Sequence, residues 1–335
     1  LLSILISGVM LAQTPVAYGT KSILLLDAKA HLGNGKVIPR SAIGIRDGKI
    51  DMVLDAFDIR MDSSVYDTII HLKGKHIYPG FIAPNSRLGL VEIDAVRASR
   101  DYDDVGMFNP HVRSLTAYNA ESRITSTVRT NGVLIAQVSP KGGIISGSSS
   151  IINLEGWNWE DAVIKEDDGI HIQWPNNVNP RDTDQKRISK RKQSYEDNIE
   201  KLKLFFDQAL SYEKKDFHLE KNIRYESMRP VIAKRSKIYI HADLAHDITD
   251  AIFFFDNYDF DLVIVGAYES WLVVELLKDR KIPVLLRRVH SLPKNEDDDI
   301  HLPYKLPFLL EQEGLLVGLQ NSGSMEAMGT VSYTH

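Results

Sequence analysis

The sequence contains no cysteine and no excess of positive charge. The absence of cysteine excludes disulfide bonds, zinc–thiolate centres and thiol nucleophiles. Its 40 basic and 45 acidic residues give a net charge of −5. Nucleic acids and anionic membrane surfaces are bound by concentrated positive charge, so neither is an expected partner. A small molecule is the expected ligand, and the composition leaves a homo-oligomer open.

Apolar residues are present in ordinary amounts, 43% of the 335-residue chain, beside 25% charged residues. These fractions are typical of a globular protein with a sizeable core. The length suits one large domain, or a large domain with a small one.

The chain begins with an apolar run, residues 1–12, that reads LLSILISGVMLA. The run is too short to span a bilayer and is typical of the core of a secretory signal peptide. We therefore predict a partial signal peptide over residues 1–17, with Ala12 or Ala17 as cleavage points. The prediction implies export, to a bacterial periplasm, and a mature chain without a membrane span. A buried first strand is the alternative interpretation.

Residues 18–79 are predicted to form a small β subdomain of the sandwich type, ahead of a larger domain over residues 80–335. An apolar segment at residues 22–27 predicts a strand. The pair Asp47–Gly48 suits the positive φ angles of a two-residue turn and predicts a hairpin. A second hairpin is predicted around residues 73–75, between the segments DTIIHL and HIYPGFI.

The middle of the chain carries weaker signals. Residues 133–138 read as a strand, and the glycine- and serine-rich residues 141–150 read as a loop. Loop amides can cradle an anion, but this loop lacks the lysine and the following helix of a phosphate loop. The basic residues 186–192 indicate the solvated start of a helix rather than a nucleic-acid patch. Apolar residues at helical spacing between 199 and 210 predict that this helix packs on a core.

From residue 237 onward the pattern is regular, with apolar strands alternating with helical segments up to residue 323. Continuous apolar strands are expected where both faces of a parallel sheet are covered by helices. The alternation predicts an α/β fold, a TIM-like (β/α) barrel. An open doubly wound sheet fits almost as well, but no GxGxxG turn follows any of these strands, so a dinucleotide-binding fold is disfavoured.

Reactive side chains in a parallel barrel stand at the carboxyl ends of its strands. Read from the predicted strands, these positions carry the following residues: Asn85, Arg87, His241, Gly266, Arg287, Arg288, His290, Asn321 and Ser322.

Several phrases resemble the amidohydrolase superfamily, and most closely its exported imidazolonepropionase-like members. They include GKHIYPGFI, FNPHVRSLTAYN, WNWEDA, RRVHSLP, LPYKLP and MEAMGT. The resemblance covers residues 22–330 and implies a hydrolase acting on non-peptide carbon–nitrogen bonds, with a divalent metal such as zinc as its cofactor. Members of the family continue beyond the last phrase. We therefore expect a chain truncated at both ends, with a barrel incomplete at its carboxyl end.

The metal-ligand positions depart from the family pattern. The family's His-x-His pair falls on Asn85 and Arg87, and arginine has no lone pair to offer a cation. The family's next ligand matches His241, but the following histidine falls at Gly266 and the aspartate near Ser322. We therefore expect an altered or lost metal site, with no cofactor assigned.

Two uses of such a pocket remain open. In the first, His241 and His290 are catalytic, with oxygens of Asn85 and Asn321 completing a rebuilt metal site. The alternative interpretation of His241 is a structural one, a hydrogen-bonded histidine at the barrel rim without a catalytic role. In the second, the pocket binds an anionic small molecule without catalysis. Arginines at 87, 287 and 288 and asparagines at 85 and 321 would hold a carboxylate or phosphate. Salt bridges of Arg87 to Glu92 or Asp94 are the competing interpretation.

Overall fold

The computed structural model describes residues 21–57, 63–176, 184–214 and 220–320. The predicted signal peptide and the candidates Asn321 and Ser322 lie outside these ranges. The chain divides into two compact units, Leu1–Gly80 and Phe81–His335. Within the described residues, no helix is both long and apolar enough to cross a membrane.

The described residues of the first unit form a five-stranded sheet with the order β3-β2-β1-β4, in which β5 also pairs with β1. The predicted hairpin at Asp47–Gly48 is confirmed: β2 and β3 are antiparallel, and the two turn residues have φ angles of 48° and 70°. Its strands are β1 (Ile23–His31), β2 (Val37–Arg46), β3 (Lys49–Asp55), β4 (Thr68–His71) and β5 (His76–Ile77).

The second predicted hairpin is wrong. β4 and β5 both run parallel to β1, β4 beside Ile23–Leu26 and β5 beside Lys29–Ala30. Between them β1 bulges at Asp27, whose φ is 61°, and the carbonyl of Asp27 accepts from the amide of Gly74 at 2.6 Å. The turn therefore carries the chain past the bulge along the same edge of the sheet, and it does not reverse direction.

The second unit contains an eight-stranded sheet whose strand order follows the chain, from β6 to β13. Asn85 on the first of these strands donates through Nδ2 to Oε1 of Gln320, directly after the last, at 3.0 Å. The sheet therefore curls into a nearly closed barrel, as the alternation predicts. The strands are β6 (Phe81–Ser86), β7 (Val133–Val138), β8 (Ile145–Asn153), β9 (Val163–Gln173), β10 (Lys237–Ala242), β11 (Leu262–Gly266), β12 (Val284–Leu286) and β13 (Val317–Leu319).

One strand runs against the others. β8 is antiparallel to both β7 and β9, and it occupies most of the segment predicted as a loop, so that prediction is wrong. Its serines are buried and find partners: Ser149 donates to the carbonyl of Gly169, and Ser148 to the carboxylate of Asp167. Small hydroxyl side chains that are buried with hydrogen-bond partners give a strand the composition of a loop.

Helices cover the outer face of the barrel. The predicted apolar stripe is confirmed in α3, where Leu202, Phe205, Phe206 and Ala209 are buried, and the basic residues 186–192 lie in its first turns. Phe206 packs edge-on against Phe255 of α6, with ring centroids 5.2 Å apart. The helices are α1 (Arg123–Thr130), α2 (Trp159–Ala162), α3 (Gln185–Glu213), α4 (Ile223–Glu226), α5 (Arg229–Ile232), α6 (Ala245–Phe255), α7 (Val274–Asp279) and α8 (Leu302–Gln312).

Candidate functional site

The carboxyl ends of the barrel strands surround a cavity of about 220 Å³. This is the end at which parallel barrels hold reactive side chains. The wall is rich in amides and charges, and its titratable side chains are Arg87, Lys141, His241, Asp243, Asp247 and Arg287. We call this space the rim cavity.

Asn85 is buried at the end of β6, and its polar atoms are occupied. Its backbone N–H donates to Oε1 of Gln137. In its side chain, Oδ1 accepts from Oγ of Ser139, and Nδ2 donates to Oε1 of Gln320. Its φ of 49° lies in the left-handed region, which asparagine tolerates better than most residues. Asn85 therefore ties β6 to β7 and to the end of β13, and its oxygen is already in use.

Arg87 lines the rim cavity, and its guanidinium also contacts Asp94 and Tyr102. Its guanidinium lies 3.6 Å from the carboxylate of Asp94 and 4.9 Å from the ring centroid of Tyr102. Of its two predicted acid partners, Asp94 is the one that pairs, because the Glu92 carboxylate accepts from Asn119 and Ser122. An arginine packed on an aromatic face keeps its orientation, and Arg87 contributes its guanidinium to the wall of the rim cavity.

The two arginines after β12 differ in the cavities that they line. The strand ends at Leu286, so both follow it. Arg287 lines the rim cavity and pairs with Asp243 at 2.9 Å. Arg288 is exposed and lines a neighbouring cavity of about 260 Å³. Of the pair, Arg287 alone lines the space beside His241.

His241 stands at the end of β10 in contact with His171, a residue that the sequence analysis missed. Nδ1 of His171 and Nε2 of His241 are 2.9 Å apart. Burial, with the charges of Arg287 and Lys141, lowers the pKa of His241 to about 3. Burial and the neighbouring His241 also hold the pKa of His171 well below its ordinary value. Both rings are therefore neutral at physiological pH.

A buried polar network lies beneath this pair, inside the barrel. Tyr239 stacks on His171 with ring centroids 4.8 Å apart and donates its hydroxyl to Asp168 at 2.7 Å. The same carboxylate accepts from Nε2 of Gln137 at 2.7 Å and pairs with Lys165 at 3.2 Å. Through the stacked ring of Tyr239, the network orients the ring of His171, which contacts His241.

Asp247, in the first turn of α6, lines the rim cavity and is another residue that the strand-end rule did not select. Burial raises its pKa to about 6, assisted by the nearby carboxylates of Asp250, Asp243 and Glu269 and opposed by His246, 3.0 Å away. A carboxyl that changes charge near neutral pH in a cavity is a candidate acid or base.

Replacing Asp247 by asparagine should stabilise the protein at pH 8. The folded-state pKa lies above the ordinary value of 3.8, so folding favours the protonated form, and stability falls as pH rises from about 4 to about 6. The rise in pKa from 3.8 to about 6 corresponds to about 3 kcal/mol, which solvent screening in the rim cavity reduces to about 2 kcal/mol. The variant recovers this cost at pH 8, and at pH 4 the gain disappears. Urea unfolding at both pH values measures the difference. The matched control is Glu275→Gln, an exposed acid in the first turn of α7, and an equal gain there would contradict the assignment.

His290 is not brought to His241. It lies on an exposed segment after β12, where its ring meets Tyr304 edge-on with centroids 5.9 Å apart. It is not among the residues that line the rim cavity. Its sequence position after a strand gave no information about the direction of its side chain.

The donor set does not fit the metal that the resemblance implies. Across the described ranges, no three histidine, aspartate or glutamate side chains converge on one point. At two of the positions where the resemblance implies metal ligands, Arg87 is cationic and Gly266 offers no side chain. The ring of His241 also lies near two cations, which would repel a metal ion.

Any side chain at position 266 should destabilise the protein. The φ angle of Gly266 is 99°, and a Cβ there would lie 2.5 Å from Oδ1 of Asp243. We expect Gly266→Ala to lower the free energy of unfolding by about 1–2 kcal/mol more than Gly314→Ala. Gly314 has a similar φ of 85° but open space around its Cα, so the comparison isolates the clash. Equal losses of unfolding free energy in the two variants would show that the side chain of Asp243 moves away from the added methyl group without cost.

No family model and no curated protein matches the sequence. Among solved structures, the amidohydrolase from Thermotoga maritima MSB8 is similar over 90% of this chain and 78% of its own, with a TM-score of 0.76 and 21% identity. An ochratoxinase from A. niger matches over 90% and 76%, with a TM-score of 0.44 and 12% identity. The L-hydantoinase from Arthrobacter aurescens matches over 90% and 69%, with a TM-score of 0.39 and 9% identity. The first likeness shows the fold, a barrel of the kind found in the Thermotoga amidohydrolase.

Proposed function

We propose that this chain is an amidohydrolase-type hydrolase that acts on non-peptide carbon–nitrogen bonds, with a site altered so that it does not hold the family's metal. One observation carries the proposal: a neutral histidine and a carboxyl with a pKa of about 6 line one cavity at the catalytic end of the barrel. The likeness of fold to an amidohydrolase and the sequence resemblance to that superfamily support the reaction class.

The charge of each side chain in the rim cavity determines its proposed role in the reaction. Asp247 is ionised above about pH 6 and takes a proton from the attacking water as its oxygen bonds to the carbonyl carbon. The protonated Asp247 then returns the proton to the substrate nitrogen as the carbon–nitrogen bond breaks. His241, Lys141 and Arg287 lie where positive charge and hydrogen-bond donors would polarise the substrate carbonyl and stabilise its developing oxyanion. The activity therefore rises with pH through about 6 as Asp247 loses its proton.

The expected rates follow from these groups. A positioned general base contributes roughly 10²–10⁴-fold, and one oxyanion donor roughly 10²–10³-fold. These factors suit activated substrates, such as strained or electron-poor cyclic amides, better than ordinary amides.

The test is a screen of cyclic amides with the purified protein, together with metal analysis and chelator treatment. We expect slow turnover that survives chelation, with less than one equivalent of metal per chain. Turnover that is lost on chelation and restored by zinc would overturn the proposed site. An absence of turnover across the screen would favour the second candidate.

The second candidate is a non-catalytic protein that binds a small anion in the same cavity. It is favoured by the cations Arg87, Lys141 and Arg287 around one space. Guanidinium groups bind carboxylate and phosphate in bidentate fashion.

A thermal-shift screen of carboxylates and phosphates tests this candidate. We expect stabilisation of the wild type and at least a tenfold loss of affinity in Arg87→Ala, which corresponds to about 1.4 kcal/mol. Arg280→Ala is the matched control, because Arg280 forms a comparable pair with Asp256 at 2.7 Å and does not line the rim cavity. Equal effects of the two variants would contradict binding at Arg87.

We also propose that the chain is exported to a periplasm. The support is the apolar run at residues 1–12 with small residues after it. Expression of the gene in a bacterial host, followed by N-terminal sequencing of the periplasmic fraction, tests it. A product found in the cytosol with an uncleaved amino terminus would contradict export.

A further inference from the structure

We propose that His171 is a positioning residue that fixes His241 in the tautomer presenting Nδ1–H to the rim cavity. The proposal deepens the proposed function and rests on the same cavity, because it states what His241 offers a bound molecule. Its basis is the 2.9 Å separation of His171 Nδ1 and His241 Nε2. Two ring nitrogens this close form a hydrogen bond, with one proton between them.

Two arrangements of that proton leave different atoms unpaired. If His241 donated, His171 would carry its own proton on Nε2, a fully buried atom without a hydrogen-bond partner in the described part of the chain. If His171 donates through Nδ1, its Nε2 keeps a lone pair and no buried N–H is left over. Unpaired buried N–H groups are rarer in proteins than unpaired acceptors. The structure therefore favours His171 as the donor.

The plane of the His171 ring is fixed by stacking. Tyr239 stacks on it at an interplanar angle of 10°. The hydroxyl of Tyr239 is anchored on Asp168, which Gln137 also contacts. The stacked ring of Tyr239 therefore supports the donor that His241 receives.

The consequence appears at the cavity wall. With its Nε2 accepting from His171, His241 carries its proton on Nδ1, the nitrogen that makes no hydrogen bond to the described residues. His241 lines the cavity beside Lys141 and Arg287. An N–H flanked by two cations binds an acceptor, such as a carbonyl or carboxylate oxygen. It serves neither as a metal ligand nor as a base.

Nitrogen-15 NMR of the full chain, without any ligand, tests the tautomer. We expect a protonated Nδ1 and an unprotonated Nε2 for His241, unchanged from pH 5 to pH 8. The resonances are assigned by their absence from His241→Gln. A protonated Nε2 on His241, or titration of its ring in this range, would overturn the proposal. The measurement needs no substrate, so a failure of the proposed hydrolysis leaves its outcome unaffected.

Variants of His171 separate positioning from packing. His171→Phe keeps a ring against Tyr239 but removes the donor, so His241 should lose its preference for Nδ1–H. His171→Asn places an amide near the lost Nδ1 and should restore it. Tyr239→Phe, which keeps the stacked ring, should leave the tautomer unchanged. Retention of Nδ1–H in a folded His171→Phe would contradict the role, and if that variant fails to fold, the wild-type and His171→Asn spectra decide.

Discussion

Replacing His241 by glutamine should lower turnover at least 100-fold on whichever cyclic amide the protein hydrolyses. The glutamine amide reaches the position of Nε2, so it preserves a partner for His171. It removes the ring nitrogen that faces the rim cavity. Loss of one donor to a developing oxyanion costs roughly 10²–10³ in kcat. The loss should appear in kcat with little change in KM, because the interaction strengthens in the transition state.

The control for this variant is His290→Gln. His290 is exposed and lies outside the rim cavity, so its replacement should change kcat less than twofold. Steady-state kinetics and thermal unfolding of both variants are the measurements. Equal turnover in His241→Gln and wild type would remove His241 from the reaction, and a loss confined to His290→Gln would reverse the assignment.

The fold of the second half of the barrel follows from its sequence. A strand such as β11 is apolar on both faces, as expected under covering helices, and β10 is apolar on the face toward its helices; that pattern is visible without a structure. β8 and β9 carry no such pattern. Asp168 and His171 of β9 are buried inside the barrel among polar partners, so the segment reads as a polar surface. Composition cannot distinguish a solvated side chain from one that is buried and hydrogen-bonded.

The site was predictable in part. The rule that reactive residues follow strand ends selected Asn85, Arg87, His241 and Arg287, and the structure brings these four to one cavity. The same rule had a signal for Asp243, which follows β10 directly. Asp247 and Gln320 enter the cavity through a helix and a short last strand, whose directions depend on packing. The burial that shifts the pKa of Asp247 is a property of the folded chain alone.

Replacing Asp168 by alanine should lower the free energy of unfolding by about 3 kcal/mol. Hydrogen bonds to a charged group contribute about 1.5–3 kcal/mol, and a buried donor left without its acceptor costs about 1–3 kcal/mol. Asp168 accepts from both Tyr239 and Gln137, and both donors would remain inside the barrel. The desolvation of the carboxylate, which the variant relieves, offsets part of the loss.

The matched control for Asp168 is its neighbour Glu166. Glu166 pairs with Arg113 at the surface, and exposed pairs contribute about 0–1 kcal/mol, so Glu166→Ala should be nearly neutral. Urea unfolding of both variants, and of Tyr239→Phe alone and combined with Asp168→Ala, gives the coupling between the two residues. Coupling near zero would mean that the hydroxyl finds another acceptor. A positive coupling would measure what the hydrogen bond between Tyr239 and Asp168 contributes to the stability of the barrel interior.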